Sequence, residues 1–159
     1  TARKWQWLAP EKEPLLAERK VQIEPAELLT NLADDRLRVV MLDVRPEAEY
    51  NLFHLKGAQH VSLTELETMI PDIHAQQAVN TVFVAMSNDE DAATEAWKML
   101  TAEKVPNSYL LEGGINGWLA TFAAADETLL MTPVDASADA LGYAFPAALG
   151  DRYFAAFPN

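Results

Sequence analysis

None of the 159 residues is a cysteine. That absence removes disulfides, cysteine-ligated zinc, iron–sulfur clusters and thiol nucleophiles together. It does not fix the compartment, because exported proteins fold with or without disulfides. Histidine is scarce as well. His54, His60 and His74 are scattered, with no pair at the close helical spacing of a zinc site, so neither a metal nor a cofactor is expected. No apolar run reaches the roughly eighteen residues that would suggest a membrane-spanning helix. Basic residues are few: 12 Lys and Arg stand against 24 Asp and Glu, a net charge of -12. Such a surface repels phosphate backbones and anionic headgroups, so nucleic acid and acidic membrane are poor partners, and solubility is the simple reading of the charge. The chain opens on Thr1 rather than Met, which fits a trimmed or processed product. Together with the missing cysteines, this favours a periplasmic or otherwise extracytoplasmic location over a cytoplasmic one.

What is present is enough for a sizeable core, since 50% of the residues are hydrophobic and only 23% are charged. Residues 1–20 carry Lys4-Trp5-Gln6-Trp7 and then a charged stretch with Pro10 and Pro14, which reads as an extended arm whose tryptophans pack on the domain. From Val21 the pattern alternates. Strands are expected at Val21–Ile23, Leu37–Val44, Gln59–Val61, Thr81–Ala85 and Ser108–Leu111. Helices are expected after Pro25 with Leu28, Leu29 and Leu32 on one face, over Glu47–Phe53, and from the Ser62/Glu65 capping box through Ile70. Two more follow: Asp91–Ala102 with Ala93, Trp97 and Leu100 aligned, and a last one bearing Ile115, Trp118, Leu119 and Phe122. Strands alternating with helices imply an α/β domain with a mostly parallel, five-stranded sheet covered on both faces. The domain is placed at 21–123. An extension over 124–159 ends in two aromatic, proline-punctuated stretches, Tyr143–Pro146 and Tyr153–Pro158. These aromatics need cover, from the domain itself or from another subunit in a homo-oligomer.

Three segments carry a resemblance. Leu42-Asp43-Val44-Arg45-Pro46-Glu47-Ala48-Glu49-Tyr50 runs on to His54-Leu55-Lys56-Gly57-Ala58. Thr81–Ala85 leads through a loop into an alanine-rich helix. Leu111-Glu112-Gly113-Gly114-Ile115-Asn116-Gly117-Trp118 closes the set. In this order and spacing the chain resembles the rhodanese (sulfurtransferase) family over roughly Val21 to Phe122. The resemblance implies a three-layer rhodanese-like fold. It also implies structural roles for Asp43, Arg45, Gly113, Gly114 and Trp118. Asp43 and Arg45 sit where a strand leaves the sheet and can satisfy loop backbone or each other. Trp118 is expected to be a core plug, and His54 a satisfied structural histidine.

In active relatives the strand before the alanine-rich helix ends in a cysteine. Loop amides and the positive end of the helix lower the thiol pKa and cradle an anion or persulfide there. Here the corresponding loop is Ala85-Met86-Ser87-Asn88-Asp89-Glu90-Asp91, and the cysteine position falls on Ala85. A methyl group carries no sulfur, Met86 is a thioether, and Ser87 has no histidine nearby in sequence to activate it. Asp89, Glu90 and Asp91 set three carboxylates where relatives tend to carry neutral or basic groups, so anions such as thiosulfate should be repelled. Acidic side chains suit a helix N-terminus, with Asn88 or Asp91 as candidate cap. Three consecutive acids on an emerging helix diverge, which argues against a cation site. An engineered loss of cysteine at Ala85 is disfavoured, because three negative charges would have raised the pKa of the original thiol. The expectation is a catalytically inactive module for binding, regulation or assembly, taking a protein partner or small ligand at the loop crevice. The alternatives are a sulfur-handling protein that borrows a partner's thiol, and a structural accessory domain that oligomerises through its tail.

Overall fold

Strand β4 (Thr81–Met86) carries five hydrophobic residues in a row after its first threonine, and everything else is arranged around it. In the computed structural model, which describes residues 2–123, 131–135 and 138–145, β4 is the middle of a five-stranded sheet. The order is β1 (Gln22–Ile23), β5 (Ser108–Leu111), β4, β2 (Arg38–Asp43), β3 (Gln59–His60), and every pairing is parallel. A central parallel strand is buried on both faces, which is why β4 reads as a continuous apolar run rather than an alternating one. Alternation then sorts its side chains between two cores. Val84 and Met86 face one, with Leu28, Phe53, Ile115 and Trp118. Phe83 and Ala85 face the other, with Leu66, Ile73, Trp97 and Leu100.

Helices supply both covers. On the first face lie α2 (Pro25–Leu32), α3 (Glu47–Leu52) and α6 (Gly114–Trp118), the last running on into a π-helical turn (Leu119–Ala123). On the second lie α4 (Leu63–Gln76) and α5 (Asp91–Ala102). The Ser62/Glu65 capping box is formed as expected. Helix α4 does not stop at Ile70 but continues through Pro71 to Gln76, because Ile73 is itself a buried member of the second core.

Residues 1–20 differ most from the sequence expectation. The segment is no extended arm but helix α1 (Ala2–Ala17), with Pro10 and Pro14 inside it. Interior prolines cost about 3 kcal/mol each in an isolated helix. Packing on α5 overrides that preference. Trp5 meets Trp97 edge-on at 5.7 Å, Leu15 and Leu16 pack against the second core, and Lys4 reaches Glu103 at 2.7 Å. Only one tryptophan of the pair packs inward, since Trp7 is 83% exposed.

The described part of the extension pairs β6 (Thr132–Pro133) antiparallel with β7 (Tyr143–Ala144). Leu141 is buried in the first core, and Phe145 stacks on Phe53 at 5.9 Å. The aromatic stretch Tyr153–Pro158 lies outside the described residues.

Candidate functional site

In a parallel sheet the crevice for chemistry opens where the strands end at their carboxyl termini. Here that edge is built by the ends of β2 and β4. The ladder pairs Asp43 with Met86, so β4 runs one residue beyond the expected Ala85. Ala85 therefore lies inside the strand, opposite Leu42 and Leu110, fully buried beneath α5. Met86 also points into core. The first side chain past the sheet is that of Ser87, which is 1% exposed. Its Oγ accepts from the Ala93 amide in the first turn of α5 at 3.1 Å and donates to the Asp89 carbonyl at 3.1 Å.

Neither Asn88 nor Asp91 caps α5. The N-cap is Glu90, without a side-chain cap bond. The amides around the helix start are taken instead by Ser87 and by a residue from far along the chain. The Asp139 carboxylate accepts from the Asp89 amide through Oδ1 at 2.9 Å and from the Ala92 amide through Oδ2 at 2.7 Å. The Asp139 amide in turn donates to Asp89 Oδ2 at 2.9 Å. Asp139 holds a left-handed backbone at φ 52°, uncommon for a residue with a side chain. A turn of the extension is thus seated on the loop.

Every polar neighbour reinforces that seat. Asn116 Nδ2 donates to Asp89 Oδ1 and to the Ala140 carbonyl, each at 2.9 Å, while its Oδ1 accepts from the Gly142 amide at 2.7 Å. Glu49 accepts from Asn88 Nδ2 at 3.0 Å and from the Leu141 amide at 3.0 Å. Asn88 Oδ1 accepts from Arg45 Nη1 at 3.3 Å. Arg45 is a strut: its guanidinium grips Asp43 at 2.9 and 3.0 Å and donates to the Phe53 carbonyl. Both side chains of this ion pair have no solvent exposure.

The loop is also clamped from α6. The Ile115 and Asn116 amides donate to the Ser87 and Asn88 carbonyls at 2.8 and 3.0 Å. Gly114 has φ 62°, and a Cβ there would collide with the carbonyls of Ser87, Asn88 and Asp89. Gly113, at φ 72°, donates its amide to Glu90 Oε2 at 2.8 Å. Glu90 faces a second cation from the end of α1, Arg19, in a two-pronged pair at 2.9 and 2.8 Å. Burial pushes the Glu90 carboxyl up, but the hydrogen bonds from Arg19 and Gly113 outweigh it and hold the group below its usual range. Arg19 is raised in turn by its bonds to Glu90 and Glu112.

The carboxylates of Asp89 and Glu90 turn to different partners, and among the described residues no group of three potential ligands could hold a metal. His54 stands on a different errand. Its ring stacks on Tyr50 at 3.8 Å and its Nδ1 lies 2.8 Å from the Tyr50 carbonyl. Trp118 is a fully buried core residue against Phe122. Among the described residues no base bonds to Ser87, whose two bonds both go to backbone. Asp139 and Arg19 had no signal in the sequence as site residues, because each reaches the loop through tertiary contact, and the Leu42–Tyr50 motif contains Glu49 without pointing to a site role for it. Asn116 sat unread within the Gly113–Trp118 motif.

Comparison with known proteins agrees with the fold. The family model described as the rhodanese-like domain matches residues 24–121. A full-length protein from Lactobacillus plantarum has a similar structure, with TM-score 0.54 and 20% identity over 70% of this chain and 92% of that one. The rhodanese-like domain of an Anabaena sp. protein gives TM-score 0.53 and 18% identity over 74% of this chain and 87% of that one. No curated protein matches at a significant level.

Proposed function

Because this chain belongs to the rhodanese-like domain family, we propose that it is a non-catalytic member, a binding or regulatory module whose anion crevice is filled by its own extension. The observation that carries this reading is the Asp139 carboxylate on the Asp89 and Ala92 amides. An anion cradle at a helix N-terminus needs free amides. Here an internal carboxylate takes two of them, and a hydroxyl takes the Ala93 amide. Ala85, at the family's cysteine position, is buried inside β4, and Ser87 is the first side chain past the sheet to meet the start of α5. The Ser87 oxygen forms no stable persulfide and has no base bonded to it among the described residues. With the crevice occupied, a protein partner or ligand would read the outer surface of the loop and the turn seated on it.

Sulfur transfer from thiosulfate to cyanide, yielding sulfite and thiocyanate, tests the proposal directly. The unmodified chain, Ala85→Cys and Ser87→Cys are all expected to be inactive. The double variant Ser87→Cys/Asp139→Asn is expected to transfer sulfur slowly, since it restores a thiol and withdraws the competing charge. Transfer by the unmodified chain would refute the inactive reading. Full activity of Ser87→Cys alone would show that Asp139 does not block the cradle.

A further inference from the structure

A second concavity lies away from the loop. The connection from α5 to β5 stands at the opposite end of the parallel sheet from Ser87. Beside it, between α1 and α5, is a cavity of about 460 Å³, within the size range of small-molecule sites. Its lining includes Lys12, Lys20 and Lys104 and not one carboxylate. In a chain with twice as many acidic as basic residues, such a wall is a local inversion of charge.

The three ammonium groups are largely uncommitted. Lys12 and Lys104 have no ion-pair partner among the described residues. Lys20 stands 3.6 Å from Glu18, with both side chains more than half exposed, a contact of little strength. The floor is apolar, with Leu8, Leu15, Val105 and the Trp97 ring among its lining. Several neighbouring neutral polar groups are already engaged. Trp97 Nε1 donates to the Ser108 carbonyl at 2.9 Å, Ser108 Oγ to Val105 at 2.9 Å, and Asn107 Nδ2 to Thr81 at 3.3 Å. Alongside the Thr101 and Tyr109 hydroxyls, the lysines are the donors left for a ligand, and they alone bring positive charge. Two wall residues also hold left-handed backbone, Lys104 at φ 61° and Asn107 at φ 54°. Glycine would adopt the first of these more cheaply. The residue present is instead one that brings a charge to the rim.

We infer that this cavity is a binding site for a small organic anion with a flat apolar body, such as an aryl carboxylate. The body would lie on the aliphatic and indole floor, and the acid group would meet the three lysines. Because the general field of the protein repels anions, binding would depend on this cluster alone. The site does not rest on the non-catalytic reading of the loop and stands or falls separately.

The test uses 1-naphthoate and its neutral counterpart 1-naphthamide, each titrated into the full chain by calorimetry and by amide NMR. Naphthoate is expected to bind one to one, moving the signals of Thr101–Tyr109 and of the Trp97 indole N–H, with naphthamide at least about tenfold weaker from loss of charge-assisted bonds. Lys104→Gly, which relieves the left-handed backbone and should keep or raise the Tm, is expected to weaken naphthoate by several-fold. Lys20→Ala/Lys104→Gly should weaken it further. Equal binding of the two probes, shifts that map elsewhere, unchanged affinity in the folded lysine variants, or no saturable binding would each overturn the assignment.

Discussion

The two ends of this molecule treat charge in opposite ways. At the loop after β4, charged and polar side chains are spent on internal partners: Asp43 on Arg45, Arg45 on Asn88, Glu49 on Asn88 and Leu141, Glu90 on Arg19, and Asp139 on two amides. At the α5–β5 connection, three lysines line a cavity with almost no ion-pair partners among the described residues. A saturated polar network rigidifies and specifies one arrangement, while unpaired groups at a cavity wall are what a ligand can use.

Substitutions at the saturated end should separate its parts by size of effect. Asp43→Ala leaves the Arg45 guanidinium buried without its counter-ion, and should cost about 3–5 kcal/mol in urea unfolding. A cost below about 1 kcal/mol would mean that water or Asn88 replaces the carboxylate, and that the network is less closed than its geometry. Asp139→Ala removes the cap on two amides without exposing a buried charge. It should cost about 0.5–2 kcal/mol and speed hydrogen exchange at the Asp89 and Ala92 amides, while leaving naphthoate binding at the far cavity unchanged. Coupling between the two sites would break the comparison.

The smallest effect concerns the partly exposed Glu90–Arg19 pair. The Glu90 pKa is depressed in the folded state, so its contribution is present above the ordinary carboxylate range and fades as pH falls through the lower folded value. Solvent screening keeps that contribution under about 1 kcal/mol. The Tm of Glu90→Gln should therefore fall below that of the parent at pH 7, with the gap closing toward pH 3. A gap that widens on acidification would contradict the pairing.

Much of this was legible beforehand. The order of strands and helices, the capping box at Ser62 and the Asp43–Arg45 pair rest on local pattern or on contacts between residues close in sequence. The failures share one cause. Helix α1 was hidden because Pro10 and Pro14 argue against a helix, and only packing of Trp5, Leu15 and Leu16 on α5 reverses that. The end of β4 was placed early because ladder pairing with Asp43, not propensity, carries it to Met86. Asp139 is 50 residues from Asp89 in the chain and sits among residues with no distinctive pattern, so its seat on the loop was invisible.

The sequence by itself determined that the chain supplies no thiol of its own, that its core is a parallel α/β sheet, and that the loop is acidic. Composition and period express these properties directly, since they depend on residue identity and on spacing along the chain. The tertiary structure alone decided that Ser87 meets the start of α5, that Asp139 takes the Asp89 and Ala92 amides, and that Lys104 shares a cavity with Lys12 and Lys20. Those outcomes depend on which distant segments share a surface, and that is settled by the packing of the whole fold rather than by any local preference.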